Sequence, residues 1–258
     1  MTIDQPLAKE ILKYLSSDKN NELCGLVVES GGAFRFIPCE NKHDEKDNNF
    51  IISPNDYIKA STMGKVVAVC HSHNANGLNH LSSGDRISQY FSGLQWILVK
   101  NGDGLPVLST WNPVPKLKGR EFVEGYSDCY DSFRDFYRLA GIEMGNYGPE
   151  CGLRIPDWYK QENAVSPFLE NIESEGFKRV NSISSIEPGD VIFSLLGAKV
   201  PNHASVYIGN NEIFHHLPGK LSCCEPLKGF YIKYAHSFWR HYDRDNLNIK
   251  SVIDILRG

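Results

Sequence analysis

The chain is predicted to form two units, an α/β unit over residues 1–112 and an α+β unit over residues 113–258, and three observations carry that reading. The segment Trp111-Asn-Pro-Val-Pro-Lys-Leu-Lys-Gly119 holds two prolines and a glycine and interrupts periodicity between the halves. Before it, helical stretches alternate with strand-like apolar runs. After it, one amphipathic helical stretch comes first and strands with short turns follow, the order of an α+β domain. A length of 258 residues also suits two modest cores better than one large one.

In chain order, Leu7, Ile11, Leu12 and Leu15 recur at helical spacing and predict a helix over 6–16, with a polar loop through Asn21. Residues 23–28 and 33–37 read as strands about a Gly31-Gly32 turn. Residues 42–49 are densely charged and read as a solvated loop. Val66-Val-Ala-Val-Cys70 is a continuous apolar run, as expected of a buried strand. A short helix over 83–92 and a strand over 94–99 complete the first unit. In the second, Phe133, Phe136, Tyr137 and Ala140 share one face of a helix that opens at Asp128-Cys129 and stops at Gly141. Residues 190–194, 203–208 and 212–215 read as strands, the last two joined by the tight turn Gly209-Asn-Asn211.

Composition narrows the function classes. A net charge of −4 without a basic cluster predicts no nucleic-acid partner. No apolar run approaches the ~18 residues of a membrane span. The start, Met1-Thr-Ile-Asp-Gln-Pro, lacks the pattern of a secretory signal, so the chain is expected to stay in the cytoplasm that makes it. Cysteines at 24, 39, 70, 129, 151, 223 and 224 form an odd set with no CxxC pair, which argues against a disulfide framework and a cysteine-based structural zinc site. The adjacent pair Cys223–Cys224 has no explanation at this level.

Two constellations carry chemistry. His71-Ser-His73 follows the apolar run; histidines two apart on an extended chain point to one side and suit a shared ion. Asp85 would be a third ligand, leaving one tetrahedral position for a water that zinc makes acidic. Glu22, ahead of the neighbouring strand, is the candidate base. In the second unit Cys129 sits at a helix start, where the dipole favours a thiolate. A nucleophilic thiol needs a base, and that base an orienting group. Along 203–208, Ala204, Val206 and Ile208 alternate toward a core, so His203, Ser205 and Tyr207 face the other way, and His215 and His216 lie on the paired strand. Taken singly, each of these residues is equally at home as an ordinary core or hairpin residue.

The order Glu22…His71-Ser-His73…Ser82-x-x-Asp85 resembles the JAMM (MPN) metalloproteases over about residues 1–112. The resemblance implies a cytidine-deaminase-like mixed sheet, zinc on His71, His73 and Asp85, Glu22 as acid/base, and Ser82 polarising the substrate carbonyl. Asn74 stands where that family usually has proline, and the gap to Ser82 is one residue longer; Ser83 and His80 are nearby substitutes. Ser127-Asp-Cys129, Pro188-Gly-Asp-Val-Ile192 and His203-Ala-Ser-Val-Tyr-Ile-Gly-Asn-Asn-Glu-Ile-Phe-His215 together resemble the NlpC/P60 cysteine peptidases over about residues 117–245. That implies a papain-like fold, Cys129 as nucleophile, His203 as base, His215 as third polar residue in preference to His216, Tyr126 as a lesser substrate or oxyanion candidate, and peptidoglycan stem peptides as substrate. Both motifs in this order, with Phe214-His-His-Leu-Pro-Gly-Lys-Leu-Ser222, are similar to the tail assembly proteins of lambda-like phages. Other tail-tip proteins would then be partners, the host cytoplasm and the virion tail tip its locations. The alternative is a structural tail-tip component whose sites are vestigial.

Overall fold

The computed structural model describes residues 1–258, which form two compact units, Met1–Val114 and Pro115–Gly258. In the first unit, α1 (Gln5–Leu15) starts at Asp4, whose carboxylate accepts the Leu7 N–H at 2.9 Å, and it buries Leu7, Ile11 and Leu15. β1 (Cys24–Ser30) and β2 (Ala33–Cys39) form a hairpin closed by Gly31 and Gly32, at φ of 59° and 81°, where L-residues are strained. Then come α2 (Pro54–Met63), β3 (Lys65–His73), α3 (Ser83–Ser92), β4 (Gln95–Lys100) and β5 (Val107–Trp111). The sheet order is β2-β1-β3-β4-β5, with only β3 and β4 parallel. One face packs Ile11 and Leu15 against Val27, Ala68 and Ile97; the other packs Ala60 and Leu81 against Leu26, Val69 and Trp96. Covering both faces is what makes β3 and β4 read as unbroken apolar runs.

Three features of this unit go beyond what the sequence analysis assigned. α2 was not expected, because it buries only Ala60 and so lacks an apolar stripe; the Ser53 cap, Pro54 at the first turn and Asp56 start it. β5 runs to Trp111, which pairs with Trp96, so the chain leaves the sheet only after that residue. The 42–49 loop is not merely solvated: the Lys46 carbonyl accepts the Glu22 N–H at 2.6 Å and fixes where that acid enters β1.

In the second unit α4 (Cys129–Ala140) is followed by α5 (Pro167–Asn171), β6 (Phe177–Val180), β7 (Val191–Ser194), β8 (His203–Gly209), β9 (Glu212–His215), β10 (Cys223–Pro226), α6 (Phe230–Lys233), β11 (Ala235–His241) and α7 (Ile249–Arg257). The antiparallel sheet has the order β10-β9-β8-β7-β11-β6. α4 lays its aromatic stripe on this sheet: the Phe133 ring meets Phe177 and Phe193 at centroid distances of 5.7 and 6.4 Å. Asn210 and Asn211, at φ of 54° and 56°, close the β8–β9 turn. The side of β8 expected to look outward is covered as well. His203 and Ser205 are buried and Tyr207 packs on a second cluster with Ile192, Ile213 and Leu227, because β8 is an interior strand.

Candidate active sites

The start of α4 is built by a buried ion cluster. Asp128 caps the helix, accepting N–H groups from Tyr130 at 2.8 Å and Asp131 at 3.3 Å, and also from Gly125 at 2.8 Å. Arg154 approaches both Asp128 oxygens at 2.6 Å and Asp131 at 3.2 Å, and its guanidinium lies 4.5 Å over the Tyr130 ring. The clamp fixes the helix turn that carries Cys129, and it comes from a loop 26 residues away.

Cys129 does not gain a thiolate from its position. Burial, followed by the adjacent Asp128 charge, pushes its thiol well above the usual range, outweighing the helix dipole. The resting group is therefore a thiol, and a base must remove its proton. Sγ lies 4.0 Å from the Asn202 carbonyl, the residue before His203. Cys129 and His203 line one cavity of about 300 Å³, together with Trp158, Phe168 and His216. His203 Nε2 and His215 Nδ1 are 3.2 Å apart, so these two imidazoles share a proton and leave the other His203 nitrogen for the thiol. Burial drives both imidazoles to the neutral form, His203 well below its ordinary value and His215 down to about 4. A neutral imidazole can accept a proton. Tyr126 is two-thirds exposed and does not line the cavity.

The imidazole chain continues beyond the residues singled out from sequence. Glu225 on β10 places Oε2 3.6 Å from His215 Nε2, and the Tyr231 hydroxyl donates to the same carboxylate oxygen. A hydrogen bond from Tyr231, with His215 and Lys220 nearby, holds the Glu225 carboxyl below its usual value, so it is an acceptor. Its charge favours a proton on His215 Nε2. His215 Nδ1 is then the acceptor for His203 Nε2–H, and the remaining His203 nitrogen carries a lone pair. Glu225 follows a seven-residue loop, and its only sequence signal was alternation with Cys223 on the strand paired with His215.

In the first unit β3 delivers His71 and His73, and α3 delivers Asp85. The two Nε2 atoms are 3.1 Å apart and lie 3.5 and 3.4 Å from Asp85 Oδ2. His73 Nδ1 faces the Leu78 carbonyl at 2.8 Å, which fixes the proton there and turns the Nε2 lone pair inward. Two imidazole nitrogens and a carboxylate converging in a buried site are a good fit to one zinc-class cation. Glu22 Oε1 is 3.8 Å from His73 Nε2, and burial, reinforced by the Asp85 charge against the opposing pull of His73, raises its carboxyl to about 7. That is the range of a group that both takes and returns a proton near neutrality. Ser82 spends its hydroxyl proton on Asp85 Oδ2 at 2.7 Å within the α3 capping box, so polarising a carbonyl requires that bond to swing away. Glu22, His73, Ser82 and Asp85 line a cavity of about 650 Å³.

Residues 119–240 match the NlpC/P60 family. The chain is 40% identical over 190 residues to the tail tip assembly protein K of Escherichia phage lambda, covering 74% of this chain and 89% of that protein. It is 28% identical over 236 residues to the tail tip assembly protein K of Escherichia phage N15, covering 90% and 93% of the two. Among solved structures, an NlpC/P60 family protein from Bacillus cereus aligns over 93% of this chain and 67% of its own, at 13% identity and a TM-score of 0.38. An NLP/P60 family protein from Staphylococcus aureus covers 48% of this chain and 37% of its own, at 16% identity and a TM-score of 0.34. Both are too distant to inform the sites.

Proposed function

We propose, on the premise that the chain belongs to the family of phage tail tip assembly proteins K and carries an NlpC/P60 domain over residues 119–240, that its second unit is a thiol peptidase. Its substrate would be the stem peptides of peptidoglycan, and its working place the tail tip among other tail proteins. The observation that carries this reading is the cavity shared by Cys129 and His203, with His215 3.2 Å behind His203. His203 takes the thiol proton as Sγ attacks the scissile carbonyl. It then returns that proton to the leaving amine, and a thioester forms on Cys129. Water, deprotonated by the same imidazole, releases the acid product and restores the thiol. The thiol–imidazole contact must tighten when substrate fills the cavity, as is common for catalytic hydrogen bonds that are loose without substrate. Purified peptidoglycan tests the reading: wild-type protein should release stem-peptide fragments at least about a thousandfold faster than Cys129→Ala. Equal release by the two would overturn it.

The first unit would supply a second, JAMM-type hydrolytic site for a peptide or isopeptide bond. His71, His73 and Asp85 would hold zinc, which when bound supplies a Lewis acid and an acidified water. Glu22 would hold and return the proton at its Oε1, 3.8 Å from His73. The chain purified without chelator should carry zinc, and His71→Ala should lower its content by about one equivalent per molecule; zinc-free wild type would sink this part. A structural reading is favoured by two features, Asn74 beside the ligand pair and a Ser82 hydroxyl already committed to Asp85. It predicts that phage carrying Cys129→Ala and His73→Ala still assemble and infect normally.

A further inference from the structure

β10 is the edge strand of the second sheet, and two of its side chains have no part in the chemistry above except through His215. Cys223 is the direct cross-strand partner of His215. Glu225, two residues on, projects from the same face. The register therefore sets an imidazole, a thiol and a carboxylate side by side, with one donor atom from each lying within 4.8 Å of the others. Cys223 and Glu225 are partly exposed, while His215 is buried, so the cluster is open to solvent on the strand side and closed behind. We propose that His215 Nε2, Cys223 Sγ and the Glu225 carboxylate form a binding site for a zinc-class divalent cation that switches the thiol centre off; the switching rests on the peptidase reading above, the binding does not.

The donor set decides the class of ion. A thiolate with an imidazole selects zinc or cadmium over magnesium and calcium, which take oxygen ligands. Cys223 gives its thiol proton to water on binding. The Tyr231 hydroxyl already donates to Glu225 Oε2, and its ring stands edge-on to His215 at 5.0 Å; this is the kind of outer hydrogen bond that orients a ligating carboxylate. Lys220, 3.6 Å from Glu225 Oε1 and mostly exposed, can swing away into water.

The switch follows from proton bookkeeping along the imidazoles. With Glu225 facing His215 Nε2, the proton sits on that nitrogen and His203 keeps a lone pair for Cys129. A cation can bind His215 Nε2 only after the proton leaves it, so in the metal-bound neutral imidazole the His215 proton sits on Nδ1. It then points at His203 Nε2, 3.2 Å away, which must become the acceptor. The His203 proton is driven to its other nitrogen, and the imidazole can no longer accept from the thiol.

The test uses the full chain with His71→Ala, His73→Ala and Cys129→Ala, which removes the other zinc-type cluster and the catalytic thiol. Cadmium titrated into it should raise a sulfur-to-metal charge-transfer absorption that saturates at about one equivalent. Adding Cys223→Ser should abolish the band, Cys224→Ser should leave it, and Glu225→Gln should weaken binding at least about tenfold. No band near one equivalent, or a band that survives Cys223→Ser, overturns the site. With Cys129 restored, zinc should slow its alkylation by iodoacetamide, read by peptide mass spectrometry, and Cys223→Ser should remove that slowing. Equal slowing in both chains overturns the switch. Failure to cut peptidoglycan would leave both readouts intact, so the two readings fail separately.

Discussion

Replacing Arg154 by methionine isolates the clamp beneath Cys129. The substitution keeps volume and removes a guanidinium that is 1% exposed, 2.6 Å from both Asp128 oxygens and 3.2 Å from Asp131. Two buried carboxylates then face each other at the first turn of α4. Breaking a buried pair by deleting one partner costs about 3–5 kcal/mol. For a unit of this size that corresponds to a fall of roughly 10–17 °C in melting temperature. Burial already biases Asp128 toward its neutral form, so without Arg154 its carboxyl moves further up. A carboxyl with a raised folded pKa contributes stability below its unfolded pKa and loses it as pH rises through the folded one. The variant's loss relative to wild type should therefore be smaller in acid than at neutral pH. Scanning calorimetry with a cycle of Arg154→Met, Asp128→Asn with Asp131→Asn, and the combined variant checks the reasoning. The combined variant should regain at least half of the loss. A loss below about 1 kcal/mol, or no recovery in the combined variant, would refute the claim that the ion cluster holds this helix start.

Two further perturbations test other parts of the account. The second unit should weaken in mild acid, because His203, His215 and His241 are held neutral by burial. An imidazole whose folded pKa is depressed contributes stability above its unfolded pKa, near 6.5, and loses it as pH falls. His215 alone, at about 4, accounts for about 2 kcal/mol between pH 7 and pH 5, measurable as a lower urea midpoint in the presence of chelator. Gly25→Ala should destabilise the first unit by about 1–3 kcal/mol, since its Cβ would stand 2.5 Å from the Phe36 ring and 2.8 Å from the Ile37 carbonyl; unchanged chemical unfolding would contradict that packing.

Elements with a strong one-sided pattern were legible in the sequence. Helix α1 shows its buried Leu7, Ile11 and Leu15, and α4 shows its aromatic stripe and the Gly141 stop, which takes φ of 112°. Strand β3 was legible because both of its faces are covered. Helix α7 carries a usable signal as well, Ile249, Val252, Ile253 and Leu256 at helical spacing. Helix α2 was not legible from periodicity, because packing only Ala60 leaves no stripe to see.

The side chains with chemistry divide the same way. His71, His73 and Asp85 converge because local geometry brings them together, a strand end and a helix capping box. The pairing of His203 with His215 follows from a tight turn. Arg154 reaches Asp128 from a loop 26 residues away, and Glu225 reaches His215 through strand register, so neither could be placed without the tertiary fold. The electrostatics of Cys129 misled for a physical reason. The helix dipole is worth less than about 2 kcal/mol, and desolvation beside a buried aspartate exceeds it.

The central claim is that Cys129 attacks a peptide carbonyl with His203 as base. Rapid quenching of the full chain during turnover of a purified stem peptide, followed by mass spectrometry of the Cys129 peptide, addresses it directly. The account predicts a transient thioester carrying the acyl half of the substrate, absent when His203→Ala or Cys129→Ala is used. Cleavage that proceeds with no adduct on Cys129, and persists in Cys129→Ala, would contradict it.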